Sequence, residues 1–222
     1  MISRADLVTA MLIDNTPMFF SEGISWEPYI AKLRNISCTT VPVHLAALDP
    51  KLSNVWADLR DFSRSANLAF QTGQKMDCIQ FQEILISIQY RLQLLNICAP
   101  SLDRAVHVGM LAYSTNVFLQ LQGLAGLSAK LRDSILGLQD TSHLATAEFK
   151  LWLLFIARMS IVVAYEDSWI HFEMSKALQI LGLSSWTAVR EKLKQYLWID
   201  KLHDKGAEVA FYNATNASPD PE

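Results

Sequence analysis

Apolar residues recur at intervals of three and four along most of the chain, most clearly where Leu52, Val55, Trp56, Leu59 and Phe62 form one stripe behind Asp49 and Pro50. An aspartate at the N-cap accepts from first-turn amides, and a proline at the first helical position forfeits no hydrogen bond. The pattern predicts a helix from Asp49 to about Thr72, stopped by Gly73. Asp77, with Gln80 three residues on, predicts a second cap and a helix carrying Ile84, Leu85, Ile88, Leu92 and Leu95. Pro100 separates it from a third, capped by Ser101 and running to about Leu121. Gly123 and Gly126 predict a break before a shorter helix from about Ser128 to Leu136, with Gly137 as its stop.

From about Ser142 to Val163 the chain is apolar on nearly every side, with Trp152 and Phe155 set among leucines. A helix without a polar face belongs inside a bundle, so this is the predicted central helix. Another is expected from about Glu166 to Leu181, ended by Gly182, and Ser185 caps one in which Val189, Leu193 and Leu197 step by four. Upstream, Ser3–Ile13 suits a short helix, after which Pro17, Pro28 and Pro42 interrupt every helical pattern. No alternation of strand length appears. The fold class is therefore all-α: one domain of about eight helices in antiparallel pairs around the segment 142–163. Residues 1–48 are expected to be irregular apart from the short helix, 49–212 to form the helical domain, and 213–222 to be a flexible tail.

Composition narrows the partners. Half of the 222 residues are apolar (51%) and 18% are charged, which excludes a disordered chain and leaves apolar surface for a partner to cover. Lys plus Arg number 19 against 22 for Asp plus Glu, a weakly negative sum that repels a phosphate backbone, so direct nucleic-acid binding is not expected. Leu151–Tyr165 is shorter than the roughly 20 residues of a membrane span and carries Arg158, so no membrane partner is expected. Three scattered cysteines, Cys38, Cys78 and Cys98, and the absence of an apolar leader point to a reducing compartment, nucleus or cytoplasm, and against secretion.

Reactive constellations are scarce. The five histidines lie at least 28 residues apart, which gives no helical zinc pair, and no cofactor or metal is expected. Gly123-Leu124-Ala125-Gly126 lacks the lysine–hydroxyl pair of a phosphate loop, and no nucleophile elbow occurs. Asp58 and Asp61 share a helix face and read as solvated surface rather than metal ligands. Arg190, Lys194 and Lys201 read as a solvated basic face rather than a docking patch. Arg158 interrupts the most apolar helix: it is either a structural ion-pair partner or an anchor for an anionic ligand. Trp152, Phe155, Trp169, Trp186 and Trp198 are candidates for the core or for a ligand pocket.

One longer pattern adds to this. The segment Phe149–Asp204, with Phe149-Lys150-Leu151-Trp152-Leu153-Leu154-Phe155 followed by Ser185-Trp186 and Leu197-Trp198-Ile199-Asp200, resembles the C-terminal regulatory region of fungal zinc-binuclear-cluster transcription factors. Asp49–Phe62, Ile88-Gln89-Tyr90-Arg91-Leu92 and Arg104–Phe118 are similar to earlier helices of that region. The resemblance implies a helical regulatory module, a nuclear location, and partners in the transcription machinery or a full-length regulator. It also implies a possible small-molecule effector. The six clustered cysteines of the DNA-binding element have no counterpart here. The expected function is thus transcription regulation without direct DNA contact, by a fragment or a free-standing domain, and not enzymatic. The alternatives are a small-molecule receptor with a pocket around Trp152, Phe155 and Arg158, and, more remotely, a helical enzyme.

Overall fold

The Asp49 carboxylate accepts from the amides of Lys51 and Leu52, Pro50 opens the helix behind it, and Gly73 closes it at φ 68°. This helix and its neighbours belong to a computed structural model that describes residues 2–13, 17–18, 25–28, 42, 45–74, 77–97, 99, 101–119, 125–138, 144–160 and 167–216. Among them are nine α-helices and no strand: α1 (Ile2–Ile13), α2 (Pro50–Thr72), α3 (Cys78–Leu94), α4 (Leu102–Ser114), α5 (Ala125–Gly137), α6 (Leu144–Ser160), α7 (Asp167–Leu181), α8 (Trp186–Leu193) and α9 (Asp200–Asn216). The fold is all-α, in one domain. Among the described residues no helix is long and apolar enough to cross a membrane.

Caps follow the chemistry of their residues. Asp77 accepts from the amides of Ile79 and Gln80, Ser101 from Arg104, and Ser185 from Ala188. Gly182 ends α7 at φ 62°, a left-handed conformation that a side chain would strain. Three expectations need correction. Gly126 lies inside α5, whose first turn it shares, instead of breaking the chain before it. The helix begun at Ser185 stops at Leu193, and Leu197 sits in a separate turn. The C-terminal helix α9 then runs to Asn216 with Ala214 fully buried, so residues 213–216 belong to the domain. Pro100, Gly123, residues 142–143 and 161–163, Glu166 and the tail beyond Asn216 lie outside the described residues.

The helix α6 is the hub. It packs on α4, α5, α7, α8 and α9, and every residue from Leu151 to Ala157 is buried. It comes close to α4 at Gly109, where an added Cβ would lie 2.5 Å from Leu153 Cδ2 and 2.9 Å from Trp152 Cζ3, so glycine suits this approach. The helix α4 continues into a π-helical turn, Thr115–Leu119, in which the Asn116 side-chain amide donates to the Met159 carbonyl of α6 at 3.1 Å. On the other side α2 and α3 run antiparallel, with Phe62 against Phe81 at 5.2 Å. The first helix docks on α3 through Asp6, which accepts from the Tyr90 hydroxyl at 2.8 Å and from the Met18 amide at 2.7 Å.

Asp58 overturns its expected place on a solvated face. It is fully buried and pairs with Arg91 Nη2 at 2.6 Å, while Arg91, 1% exposed, also donates from Nε to the Ser87 carbonyl. Two buried charges are tolerated because each satisfies the other. Asp58→Asn should therefore destabilise the fold by about 3–5 kcal/mol, since it strands the Arg91 charge, whereas Asp58→Leu with Arg91→Met should recover most of that loss. Urea unfolding of the two variants checks this. Equal losses in both would mean that the pair is not a buried ion pair.

Candidate functional site

The resembling blocks meet where the turn between α8 and α9 is pressed onto α6. Leu197, Trp198 and Ile199 are all nearly or fully buried, although none of them is in a helix. A buried stretch of irregular backbone must find partners for its amides and carbonyls. They come from three directions. The Trp152 indole of α6 donates to the Leu197 carbonyl at 3.0 Å. The Asn67 side chain of α2 donates to the Trp198 carbonyl at 2.9 Å and accepts from the Asp200 amide at 2.8 Å. His203, in the first turn of α9, accepts at Nδ1 from the Ile199 amide at 2.9 Å.

Rings fill the space behind these bonds. Trp152 stacks on Phe149 and Tyr196, with centroids 5.6 and 5.8 Å away, and meets Trp56 edge-on at 5.7 Å. Offset-stacked and edge-to-face geometries are those in which aromatic quadrupoles attract. Trp198 lies 4.9 Å from His203, whose other neighbour is Tyr113 at 5.4 Å. The Tyr113 hydroxyl and Ser63 Oγ share a buried hydrogen bond of 2.6 Å, and burial pushes the phenol well above its ordinary pKa.

Charge closes the outer side. Arg190 of α8 donates from Nε to Asp204 at 2.9 Å and from Nη2 to Asp200 at 2.8 Å; Lys194 reaches Asp200 at 3.3 Å. The Trp198 indole donates to the second Asp204 oxygen at 2.8 Å. Partial burial pulls the Arg190 guanidinium down, but the hydrogen bond and charge of Asp204, then Asp200 and Glu191, outweigh it and hold Arg190 above its ordinary value. Arg190 and Lys194 therefore belong to an ion network that staples α8 to α9; of the basic face expected to be solvated, Lys194 and Lys201 are exposed and Arg190 is half-buried.

The six residues singled out from the sequence divide. Trp152 and Phe155 are wholly buried and Trp198 is 2% exposed. Half-buried Trp186 links Phe155 and Phe211, each 6.3 Å away. Trp152, Phe155 and Trp198 belong to one hydrophobic core, against which Trp186 packs. Trp169 of α7 packs against the same core from its edge, beneath the Arg132 guanidinium at 5.3 Å, and Arg158 is half-buried in the last turn of α6. Trp152 is thus packed in the core, while Arg158 is the third residue from the end of α6. A dimple between α6 and α7 is lined by Ala147, Lys150, Glu173, Lys176, Ala177 and Ile180, with Lys150 and Glu173 paired at 2.6 Å. Among the described residues no three of His, Cys, Asp and Glu are arranged to hold a metal ion.

Asn67, His203, Asp204 and the Asp58–Arg91 pair escape a reading by residue type. The phase of the stripes holds a signal for the pair: Asp58 lies three after Val55 and four before Phe62, and Arg91 three after Ile88. Each charge therefore falls on a core face, and the two are opposite. Asn67 carries no such signal, because its partners are backbone groups more than 130 positions away in sequence, whereas His203 bonds the amide of Ile199, four residues before it.

No family model, curated protein or solved structure matches the chain.

Burial holds His203 neutral, with its pKa pushed down to about 3 against the pull of Asp200. The sign of the pH effect follows. Below about pH 6.5 the unfolded chain takes up a proton that the folded state refuses down to about pH 3, so stability falls as pH drops through that window. His107, also lowered by burial, acts in the same direction. Urea midpoints should fall between about pH 7 and about pH 5.5, above the carboxylate range, and fall less in His203→Gln, which keeps an acceptor for Ile199 without titrating. Parallel pH profiles for the two proteins would remove His203 as the cause.

Proposed function

We propose that this chain is a transcription-regulatory helical module that makes no DNA contact of its own and acts in the nucleus through a protein partner. One observation supports the reading: the separate blocks that resemble the fungal regulatory region interlock. Trp56 of the early-helix block meets Trp152, Arg91 of the tyrosine-arginine-leucine block pairs with Asp58, and the Leu197 carbonyl of the closing segment accepts from the Trp152 indole. Residues that resemble a family in scattered blocks, and that depend on one another for burial and hydrogen bonding, are a set to be inherited together. The negative net charge of the chain supports a protein partner over a phosphate backbone.

Regulation without DNA contact has a direct test. Fused to a foreign DNA-binding domain, the full chain should raise or lower transcription of a reporter carrying the matching operator. Asp58→Asn in the same fusion should lose that effect along with the fold. A soluble fusion that leaves the reporter unchanged, while circular dichroism of the purified chain shows it folded and helical, would contradict the reading.

A further inference from the structure

The helix α9 is patterned on two sides. His203, Ala207, Ala210, Phe211 and Ala214 turn into the core. On the outside, Leu202, Lys205, Val209 and Tyr212 follow one another at intervals of three, four and three, the spacing of a coiled-coil seam. All four are exposed, the three apolar ones by between 43% and 56%. Residues at this spacing line one side of a helix, so the seam is a single surface. Gly206, also exposed, lies on that side, four residues after Leu202 and three before Val209. Packing within the chain does not call for a glycine there: its backbone is not left-handed, and of the described residues an added Cβ would meet Met159 alone, at 3.9 Å, an ordinary contact. Glycine weakens a helix interior relative to alanine, and what it supplies here is room for a second backbone beside the seam.

Charge selects the partner. Lys201 and Lys205 are exposed and one turn apart, and neither has an ion-pair partner among the described residues. Asp200 and Asp204, the acids beside them in sequence, are occupied by Arg190, Lys194 and the Trp198 indole. Glu208 is the remaining acid of α9, so its outer face carries two cations against one anion on a chain whose net charge is -3. Lys205 stands inside the seam. A helix laid along it takes that ammonium out of water, at a cost that a carboxylate on the incoming helix offsets. A second copy of this chain would instead bring the same excess of positive charge to the contact.

We propose that the outer face of α9 docks an amphipathic α-helix of a partner protein, one that carries an acidic residue within its apolar seam to meet Lys205. The inference stands on α9 and does not rest on the regulatory reading. The probe is a labelled synthetic helical peptide with leucines at its seam positions and one glutamate among them, compared with the same peptide carrying lysine in place of the glutamate. By fluorescence anisotropy the full chain should bind the glutamate peptide about tenfold more tightly than the lysine peptide, and Lys205→Glu should reverse that order. Circular dichroism should be unchanged, because Lys205 is exposed. Gly206→Ala should raise the thermal midpoint of the free chain and yet weaken the glutamate peptide. Equal affinity for the two peptides, binding of neither, an order that Lys205→Glu leaves unchanged, or a Gly206→Ala chain that binds as tightly as the wild type would each overturn the proposal. So would a wild-type dimer that Val209→Glu dissociates in sedimentation equilibrium, which assigns the face to a second copy.

Discussion

The hydrogen bond from the Trp152 indole to the Leu197 carbonyl is the constraint on which the C-terminal half of this protein depends. It joins the middle of the most buried helix to a stretch of backbone that is buried without being helical. Leaving either group unpaired in an apolar interior costs about 1–3 kcal/mol, so the bond fixes where the turn sits on α6. Everything after it inherits that position. With Leu197 placed, Trp198 and Ile199 follow into the core, Asn67 engages the backbone on either side of Ile199, and α9 starts at Asp200, where Arg190 can reach it.

Polar groups, more than apolar ones, give this fold its registration. Leucines and alanines on a helix tolerate a slip of one residue far better than a buried ion pair or a side-chain amide bonded to backbone does. Asp58 with Arg91 sets α2 against α3, Ser63 with Tyr113 sets α2 against α4, and Gln89 with Ser114 at 2.8 Å sets α3 against α4. Asn67 then sets α2 against the closing turn. Each of the four contacts costs desolvation that its partner offsets. Specific packing of the helices is what that cost secures.

Much of this was legible in the residues. The limits of α2, from the Asp49 cap to Gly73, follow from local chemistry, as do the caps at Asp77, Ser101 and Ser185 and the stop at Gly182. The hub role of α6 follows from the absence of a polar face around Trp152 and Phe155. Long-range pairing was not legible: Asn67 meets Trp198 and Asp200 more than 130 positions away, and nothing in an asparagine on a helix announces that. The end of α8 escaped for a related reason. Val189, Leu193 and Leu197 keep helical spacing, but Leu197 is buried by a turn that Trp152 and Asn67 stabilise, a tertiary preference that overrides the local one. Asp58 shows the opposite failure. Its position on the stripe points inward, so phase rather than residue type marks it as buried.

The central claim is that the turn 197–200 is welded to α6 and α2, and does not lie over them as a loop that opens by itself. Native-state hydrogen exchange tests it most directly, through the amides of Ile199 and Asp200 and the Trp152 indole N–H. If the claim holds, all three exchange only by global unfolding, with the same free energy and denaturant dependence as the slowest amides of α6. Exchange of Ile199 and Asp200 through a local opening with little denaturant dependence, while α6 stays protected, would contradict it.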